Sequence, residues 1–256
     1  TISAYAQGQL GNDIDALNAY NAVTSNSIPQ ISISSDGLTV AYGDRYQGDT
    51  IGNVNNGTVR VYHYSESGGT AGSSPKTWSQ IGNTLYGSGF PSFKSFMGSS
   101  VSLSSDGTIL AVGSMGGDNG FTNAGNVKVY ELVSGQNQLN YGTAVLSHYW
   151  SQLGSDIIGE AGGDQSGQSV SLSASGTRVA IGAPINAGNG NRSGNVRVYE
   201  YSNGTWTQLG SDIDGEAADD WSGKSISLSD DGTVLAIGSE KNDGNGSSSG
   251  HVRVYE

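Results

Sequence analysis

The sequence predicts an all-β chain, a four-bladed antiparallel β-propeller whose last blade is completed by a strand from the N-terminal end. Three observations predict it. A three-strand phrase recurs four times, a tight turn follows the first strand of every copy, and the strand that the last copy lacks has a close match near residue 10. Repeated four-strand units joined by short turns are what propeller blades require.

The first strand of each unit is Ile31-Ser32-Ile33-Ser34, Val101-Ser102-Leu103-Ser104, Val170-Ser171-Leu172-Ser173 and Ile226-Ser227-Leu228-Ser229. Strict alternation places the aliphatic side chains on one sheet face and the hydroxyls on the other. The turns are Asp36-Gly37, Asp106-Gly107, Ser175-Gly176 and Asp231-Gly232. Such pairs between alternating runs are a strong hairpin signal. The second strands are Val40 to Gly43, Leu110 to Gly113, Val179 to Gly182 and Leu235 to Gly238. Their small Ala and Gly residues let a neighbouring sheet approach closely.

The third strands are Val59 to Tyr62, Val127 to Tyr130, Val196 to Tyr199 and Val252 to Tyr255, each carrying a Lys or Arg between two valines. The fourth are Trp78 to Gly82, Trp150 to Gly154 and Trp206 to Gly210. From the third-strand Tyr to the Trp the spacing is 16, 20 and 7 residues (62→78, 130→150, 199→206), so insertions collect in Ser65–Thr77 and Val133–Tyr149. Both are Ser/Gly/Asn-rich and read as exposed loops. No fourth strand follows Tyr255, but Gln9-Leu10-Gly11-Asn12-Asp13-Ile14-Asp15 matches Gln208 to Asp214, with Gln7 where Trp206 stands. One domain over 1–256 is therefore expected, with blades at about 28–86, 98–158, 167–214 and 223–256, the last joined by strand 5–15. Closure within one chain removes an aggregation-prone edge. Exchange of the same strand between molecules builds a filament instead.

Composition narrows the function. With 11 basic and 23 acidic residues the net charge is −12, which argues against nucleic acid or anionic membrane as partner. No apolar run reaches the ~18 residues of a spanning helix. No secretory leader stands at Thr1, which fits a removed leader or a fragment. The absence of cysteine excludes disulfides, thiolate metal sites and Cys nucleophiles. Sequons at Asn56, Asn191, Asn203 and Asn245 are possible glycosylation sites if the protein is secreted.

The Gly-x-Ser-Val-Ser-Leu-Ser phrase, the Asp-Gly turn, Val179 to Pro184 (Val-Ala-Ile-Gly-Ala-Pro) and Gly-x-Val-Arg-Val-Tyr resemble the FG-GAP repeats of integrin α-subunit propellers and their microbial and algal relatives. The likeness is clearest over Trp150–Glu256, while blade one has Ile28-Pro29-Gln30 where Gly223-Lys224-Ser225 stands in the last unit. The resemblance implies a secreted or surface propeller used for adhesion or scaffolding. Two features depart from that family. Its propellers have more blades, and its calcium-binding members carry a long Asp-rich loop where this chain has only Asp-Gly, too short to wrap an ion.

Among candidate sites, Asp212, Asp214, Glu216, Asp219 and Asp220 form the most acidic connection, with Asp156, Glu160 and Asp164 at matching places one unit earlier. Alternating carboxylates with Gly can bind Ca²⁺. The competing account is a solvated loop that caps turns and pairs with Arg197 and Arg253. Asn242 to Gly246 and Asn189 to Asn191 suit an ion, a glycan or simply bulged turns. Trp78, Trp150 and Trp206 recur at one position and so read as inter-blade packing. Trp221, Phe90 and Phe93, with Phe96, lie outside the repeat and are the better candidates for a ligand surface. His63, His148 and His251 have no ligand spacing, and no nucleophile elbow or phosphate loop appears. The expectation is a non-catalytic extracellular structural or adhesive module without an obligatory cofactor, its partner a second copy or a surface glycan. A lectin-like propeller and a glycoside-active enzyme are the rivals.

Overall fold

The alternating runs emerge as strands in a computed structural model, which describes residues 9–15, 29–47, 56–65, 77–88, 94–117, 122–136 and 146–256. Blade 1 comprises β1 (Gln30–Ile33), β2 (Thr39–Asp44), β3 (Thr58–Ser65), β4 (Thr77–Gln80) and β5 (Leu85–Tyr86). Blade 2 comprises β6 (Met97–Leu103), β7 (Ile109–Ser114), β8 (Asn126–Gln136), β9 (Leu146–Gln152) and β10 (Ile157–Ile158). Blade 3 holds β11 (Ser169–Leu172), β12 (Arg178–Ala183), β13 (Asn195–Ser202) and β14 (Thr205–Asp214), and blade 4 holds β15 (Ser222–Leu228), β16 (Leu235–Ser239) and β17 (His251–Tyr255). Every sheet is an antiparallel meander, and the two short outer strands of blades 1 and 2 both pair with the third strand. The all-β, four-bladed antiparallel propeller is thus the observed architecture.

The hairpin turns form for a local reason. In blade 1 the Ser34 hydroxyl donates to Asp36 Oδ1 (2.6 Å), which also accepts from the Leu38 amide (2.8 Å), while Gly37 takes φ 74°. A side chain with a Cβ is strained at that angle. Blades 2 and 4 repeat the arrangement with Ser104/Asp106 and Ser229/Asp231. The Ser34 hydroxyl and the Leu38 amide hold the Asp36 carboxyl below the usual range, and Ser229 with Thr233 do the same for Asp231.

Packing happens between blades rather than at one centre. Ala41, Val59 and Val61 of blade 1 meet Val101, Leu103, Leu110 and Val112 of blade 2. Ala111, Val127 and Val129 meet Val170, Leu172, Val179 and Ile181, and Ala180 and Val196 meet Leu228, Leu235 and Ile237. Each buried aliphatic side chain contributes about 1.5–3 kcal/mol. The sheets approach closely because the second-strand glycine faces backbone. A Cβ on Gly43 would stand 2.9 Å from the Gly98 carbonyl, and Gly113 and Gly182 face Gly167 and Gly223 more tightly still.

The first-strand serines latch neighbouring blades. The Leu103 amide donates to Ser32 Oγ (2.9 Å), Leu172 to Ser102 Oγ (3.0 Å) and Leu228 to Ser171 Oγ (2.9 Å). A backbone chain runs beside them, with Ser35 N–H donating to Ser105 O, Ser105 to Ala174 O, and Ala174 to Asp230 O.

The two ends of this array differ from its middle. The fourth sheet has three strands. Residues 5–8 of the expected closing strand lie outside the described residues, and residues 9–15 meet blade 1 rather than β17. Trp78 donates its indole N–H to Leu10 O (2.7 Å) and its amide to Asn12 Oδ1 (3.0 Å), while Arg60 Nη1 reaches Asp15 O (3.3 Å).

Candidate functional site

The acidic connections after the outer strands lie where successive blades meet, and their geometry repeats. Asp164 and Asp220 are nearly fully buried. Asp164 Oδ2 accepts from the Ala161 amide (2.9 Å) and Asn186 Nδ2 (3.0 Å); Asp220 Oδ2 accepts from the Ala217 amide and Asn242 Nδ2, both at 3.0 Å. Each therefore closes a loop and ties it to the following blade. Glu160 and Glu216 stand beside them. Glu160 approaches Asn186 Nδ2 (3.3 Å), Asn195 Nδ2 (3.2 Å) and Arg197 Nη1 (4.0 Å). Glu216 approaches Asn242 Nδ2 (3.4 Å), His251 Nδ1 (3.6 Å) and Arg253 Nη1 (3.8 Å). The two arginines also cross the blade boundary, Arg197 to Ile158 O (2.9 Å) and Arg253 to Asp214 O (2.7 Å).

This resolves the five acidic candidates. Asp212 accepts from Gln208 Nε2 (2.7 Å) and Asn195 Nδ2 (3.3 Å), Asp214 lies next to Gly188, and Asp219 pairs with Arg192 (2.7 Å). Glu216 and Asp220 are engaged as described. Among the described residues, no three His, Asp or Glu side chains converge as a metal site. Of the five, Glu216 approaches Arg253, while Arg197 faces Glu160 of the preceding connection, so the acidic side chains contact partners across loops and blades. Asn189 and Asn242 have the same role: Asn189 Nδ2 donates to Gly215 O (2.9 Å) and Glu216 O (3.0 Å).

One pairing was not legible in the sequence. Glu160 and Asp212, from successive units, share the Asn195 amide nitrogen. Loss of water pushes the Glu160 carboxyl up; Arg197 opposes this and Asp212 adds to it. Partial burial, then Asp212, also raises Asp214. The only signal available was the alignment of Asp212 with Asp156, which places it one blade away from Glu160.

A carboxyl raised in the folded state contributes stability that is full below its unfolded value of 4.5 and is lost as pH rises through the folded value. Glu160→Gln mimics the protonated form. Its melting temperature relative to the parent is therefore expected to increase between pH 4 and pH 7, in a series of thermal melts. A difference constant with pH would show that Glu160 titrates normally.

The aromatic candidates separate cleanly. Trp150 and Trp206 donate their indole N–H groups to Ile81 O (3.2 Å) and Leu153 O (2.8 Å) of the preceding blade, over Gly82 and Gly154. They are inter-blade wedges, as expected from recurrence. Trp221 is half-buried, with Lys241 Nζ 3.7 Å from its ring centroid and Lys224 at 5.5 Å. A ring face covered by an ammonium is a poor stacking platform for a sugar. Phe90 and Phe93 lie outside the described residues; Phe96 packs edge-on against Tyr46 at 5.8 Å. The groove between Ser155–Ile158 and Tyr199, Thr205 and Trp206 encloses about 230 Å³, below the ~300 Å³ of typical small-molecule sites.

Of the sequons, Asn191, Asn203 and Asn245 are exposed, whereas Asn56 is 3% exposed. Asn56 is therefore corrected as an acceptor, because its side chain sits inside the blade 1–blade 2 boundary and has no room for a glycan. Among the described residues no helix is long and apolar enough to cross a membrane.

No protein-family model matches the chain, and no curated protein matches it. Solved structures do. The β-propeller domain of Myceliophteria thermophila Cps50 (Swd1) aligns at 12% identity and TM-score 0.38, over 82% of this chain and 50% of that one. The Pseudomonas aeruginosa periplasmic gluconolactonase PpgL aligns at 18% identity and TM-score 0.34, over 84% and 65%. The chain spans about half to two thirds of these structures.

Proposed function

We propose that this propeller is a non-catalytic structural or adhesive module acting outside the cell, with FG-GAP-like repeats and self-association as its mode of partnership. The observation that carries the reading is how the polar residues are used. The acidic connections, which are the natural place for chemistry, are tied to Asn186, Asn195, Asn242, Arg197 and Arg253 across blade boundaries. A group held this way fixes the relative orientation of two sheets. Blades so locked make a rigid scaffold on which exposed loops, with Asn191, Asn203 and Asn245, form the outer surface. The secreted setting is supported by the resemblance.

The test uses the intact protein with a glycan array and a panel of chromogenic glycosides, alongside Trp221→Ala and Glu160→Gln. The expected result is no turnover and no glycan binding that depends on Trp221. Turnover abolished by Glu160→Gln would make the Glu160–Asp212 pair a hydrolytic centre and overturn the proposal. Glycan binding lost in Trp221→Ala would replace it with a lectin-like reading.

A further inference from the structure

Blade 1 and blade 4 each leave open the face that the inner blades bury. On blade 1, Ile31 is 71% exposed and Ile33 60%, although their equivalents Val101, Leu103, Val170 and Leu172 are buried against a preceding blade. On blade 4, Val252 is 67% exposed and Val254 65%, although Val127, Val129 and Val196 are buried against a following blade. Ser227, the equivalent of the latching Ser32, Ser102 and Ser171, is exposed. A Cβ on Gly238 would meet only Ser225 of its own blade, whereas Gly113 and Gly182 face a carbonyl of the next. The two open faces are therefore the two halves of one interface that the chain makes three times internally.

The placement of residues 9–15 completes the argument. Trp78 grips Leu10 O as Trp150 grips Ile81 O and Trp206 grips Leu153 O. Arg60 reaches Asp15 O as Arg197 reaches Ile158 O and Arg253 reaches Asp214 O. Gln9 donates to Asp13 (2.6 Å) as Gln152 does to Asp156 (2.8 Å) and Gln208 to Asp212 (2.7 Å), and Gly11 has φ 75° beside 74° at Gly154. This segment thus makes against blade 1 the contacts that the outer strand of a preceding blade makes, while pairing with no strand among the described residues. Among the described residues, the other strands of such a blade are not there. Blade 4 has three strands and lacks an outer one.

The geometry points to head-to-tail association of copies of this chain. The β15–β17 sheet of one copy docks on the blade 1 face of the next and takes that copy's residues 9–15 as its fourth strand. Continuity with the internal interfaces names the occupant, since a surface built to receive a blade of this repeat is offered one by a second copy. The register follows from blade 3, where Asn195 pairs with Asp214, Val196 with Ile213, Val198 with Leu209 and Tyr199 with Gln208. By the repeat, His251 pairs with Asp15 across the new boundary, Val252 with Ile14, Val254 with Leu10 and Tyr255 with Gln9. Ser227 Oγ then accepts from the Ile33 amide. The match differs in one place, because Ile28 stands where the docking blades have Gly98, Gly167 and Gly223. Without that close backbone approach the contact is weaker than the internal ones, and assembly depends on concentration. The inference rests on the self-association in the proposed function, but not on the absence of catalysis.

The chain has no cysteine, so introduced thiols report cleanly. Leu10→Cys and Val254→Cys are made separately and together; both positions are exposed, so the core is undisturbed. After mild oxidation of an equimolar mixture of the two single variants, a disulfide-linked dimer is expected on a non-reducing gel. The double variant is expected to give a ladder of multimers. Leu10→Cys mixed with Val252→Cys, two residues out of register, is expected to crosslink at least fivefold less. A double variant that crosslinks only within one chain, with no mixed dimer, would overturn the proposal in favour of in-chain closure. Absence of any crosslink, with a monomeric mass by light scattering across a concentration series, would overturn docking altogether. Turnover or glycan binding in the earlier experiment defeats the non-catalytic reading and leaves this gel unchanged.

Discussion

Gly113→Ala and Gly182→Ala are each expected to cost about 3 kcal/mol or more of folding stability, and Gly238→Ala well under about 1. All three glycines occupy one position in the repeat, at the end of the second strand. Gly113 and Gly182 are at ordinary φ, so the argument is steric and owes nothing to backbone strain. A methyl group on either would stand under 3.0 Å from a carbonyl of the next blade, at Gly167 or Gly223. Neither carbonyl can turn aside, because Gly167 and Gly223 sit on strand entries pinned by the Ser100 and Ser169 hydroxyls, which donate to them at 2.8 and 2.7 Å. The blades must separate, and the aliphatic contacts beneath are loosened together. At Gly238 the only close atom is the Ser225 hydroxyl, which rotates away. Urea denaturation midpoints, measured at low protein concentration, compare the three directly. A large loss at Gly238 under those conditions would mean that a blade already stands over that face in the isolated chain.

Much of this was readable from residue order. Alternation of Val or Leu with Ser fixed which side chains face a neighbour, because strand periodicity is short and local. The Ala and Gly of the second strand signalled close approach, and recurrence of Trp78, Trp150 and Trp206 signalled packing. What was not readable depends on distances between sheets. The alternation put hydroxyls on one face, yet nothing in it said that Ser32, Ser102 and Ser171 would accept amides from the next blade. Glu160 and Asp212 are 52 positions apart in sequence and meet only because two outer connections converge on Asn195. The Asn56 sequon has the pattern of an exposed one; its burial comes from blade 2 arriving over it, where Ser95 Oγ donates to the Asn56 carbonyl (2.5 Å). The N-terminal match to Gln208–Asp214 announced the side-chain and carbonyl contacts of an outer strand, but residues 9–15 pair with no strand among the described residues. Which sheet it would flank was set by Trp78 and Arg60, whose reach across a blade boundary the match could not express.

Replacing the three wedge tryptophans by Ala is expected to rank as Trp150, then Trp206, then Trp78, in order of how far each enters the core of a blade boundary. Trp150 is 4% exposed, lies in the blade 1–blade 2 core with Leu103 and Tyr130, and donates its amide to Asn83 Oδ1 (2.9 Å) as well as its indole N–H to Ile81 O. Truncation removes a large ring from a packed boundary and leaves a cavity, so a loss of about 3–5 kcal/mol is expected. Trp206 is only partly buried and shares its contact with Tyr201 at 5.1 Å between ring centroids, which remains after truncation and lowers the cost. Trp78 packs on Tyr64 of its own blade (5.4 Å between ring centroids) and is not part of the blade 1–blade 2 core; across the boundary it holds Leu10 and Asn12. Its loss should therefore change the global unfolding midpoint little while raising hydrogen exchange through residues 9–15 by an order of magnitude or more. The two readouts separate a wedge that stabilises a blade boundary from one that positions a strand. If Trp78→Ala lowered the midpoint as much as Trp150→Ala, the N-terminal segment would be an integral part of the blade 1 core. If exchange in residues 9–15 did not change, Arg60 alone would suffice to keep the strand in place, and the Trp78 indole would be a passive neighbour.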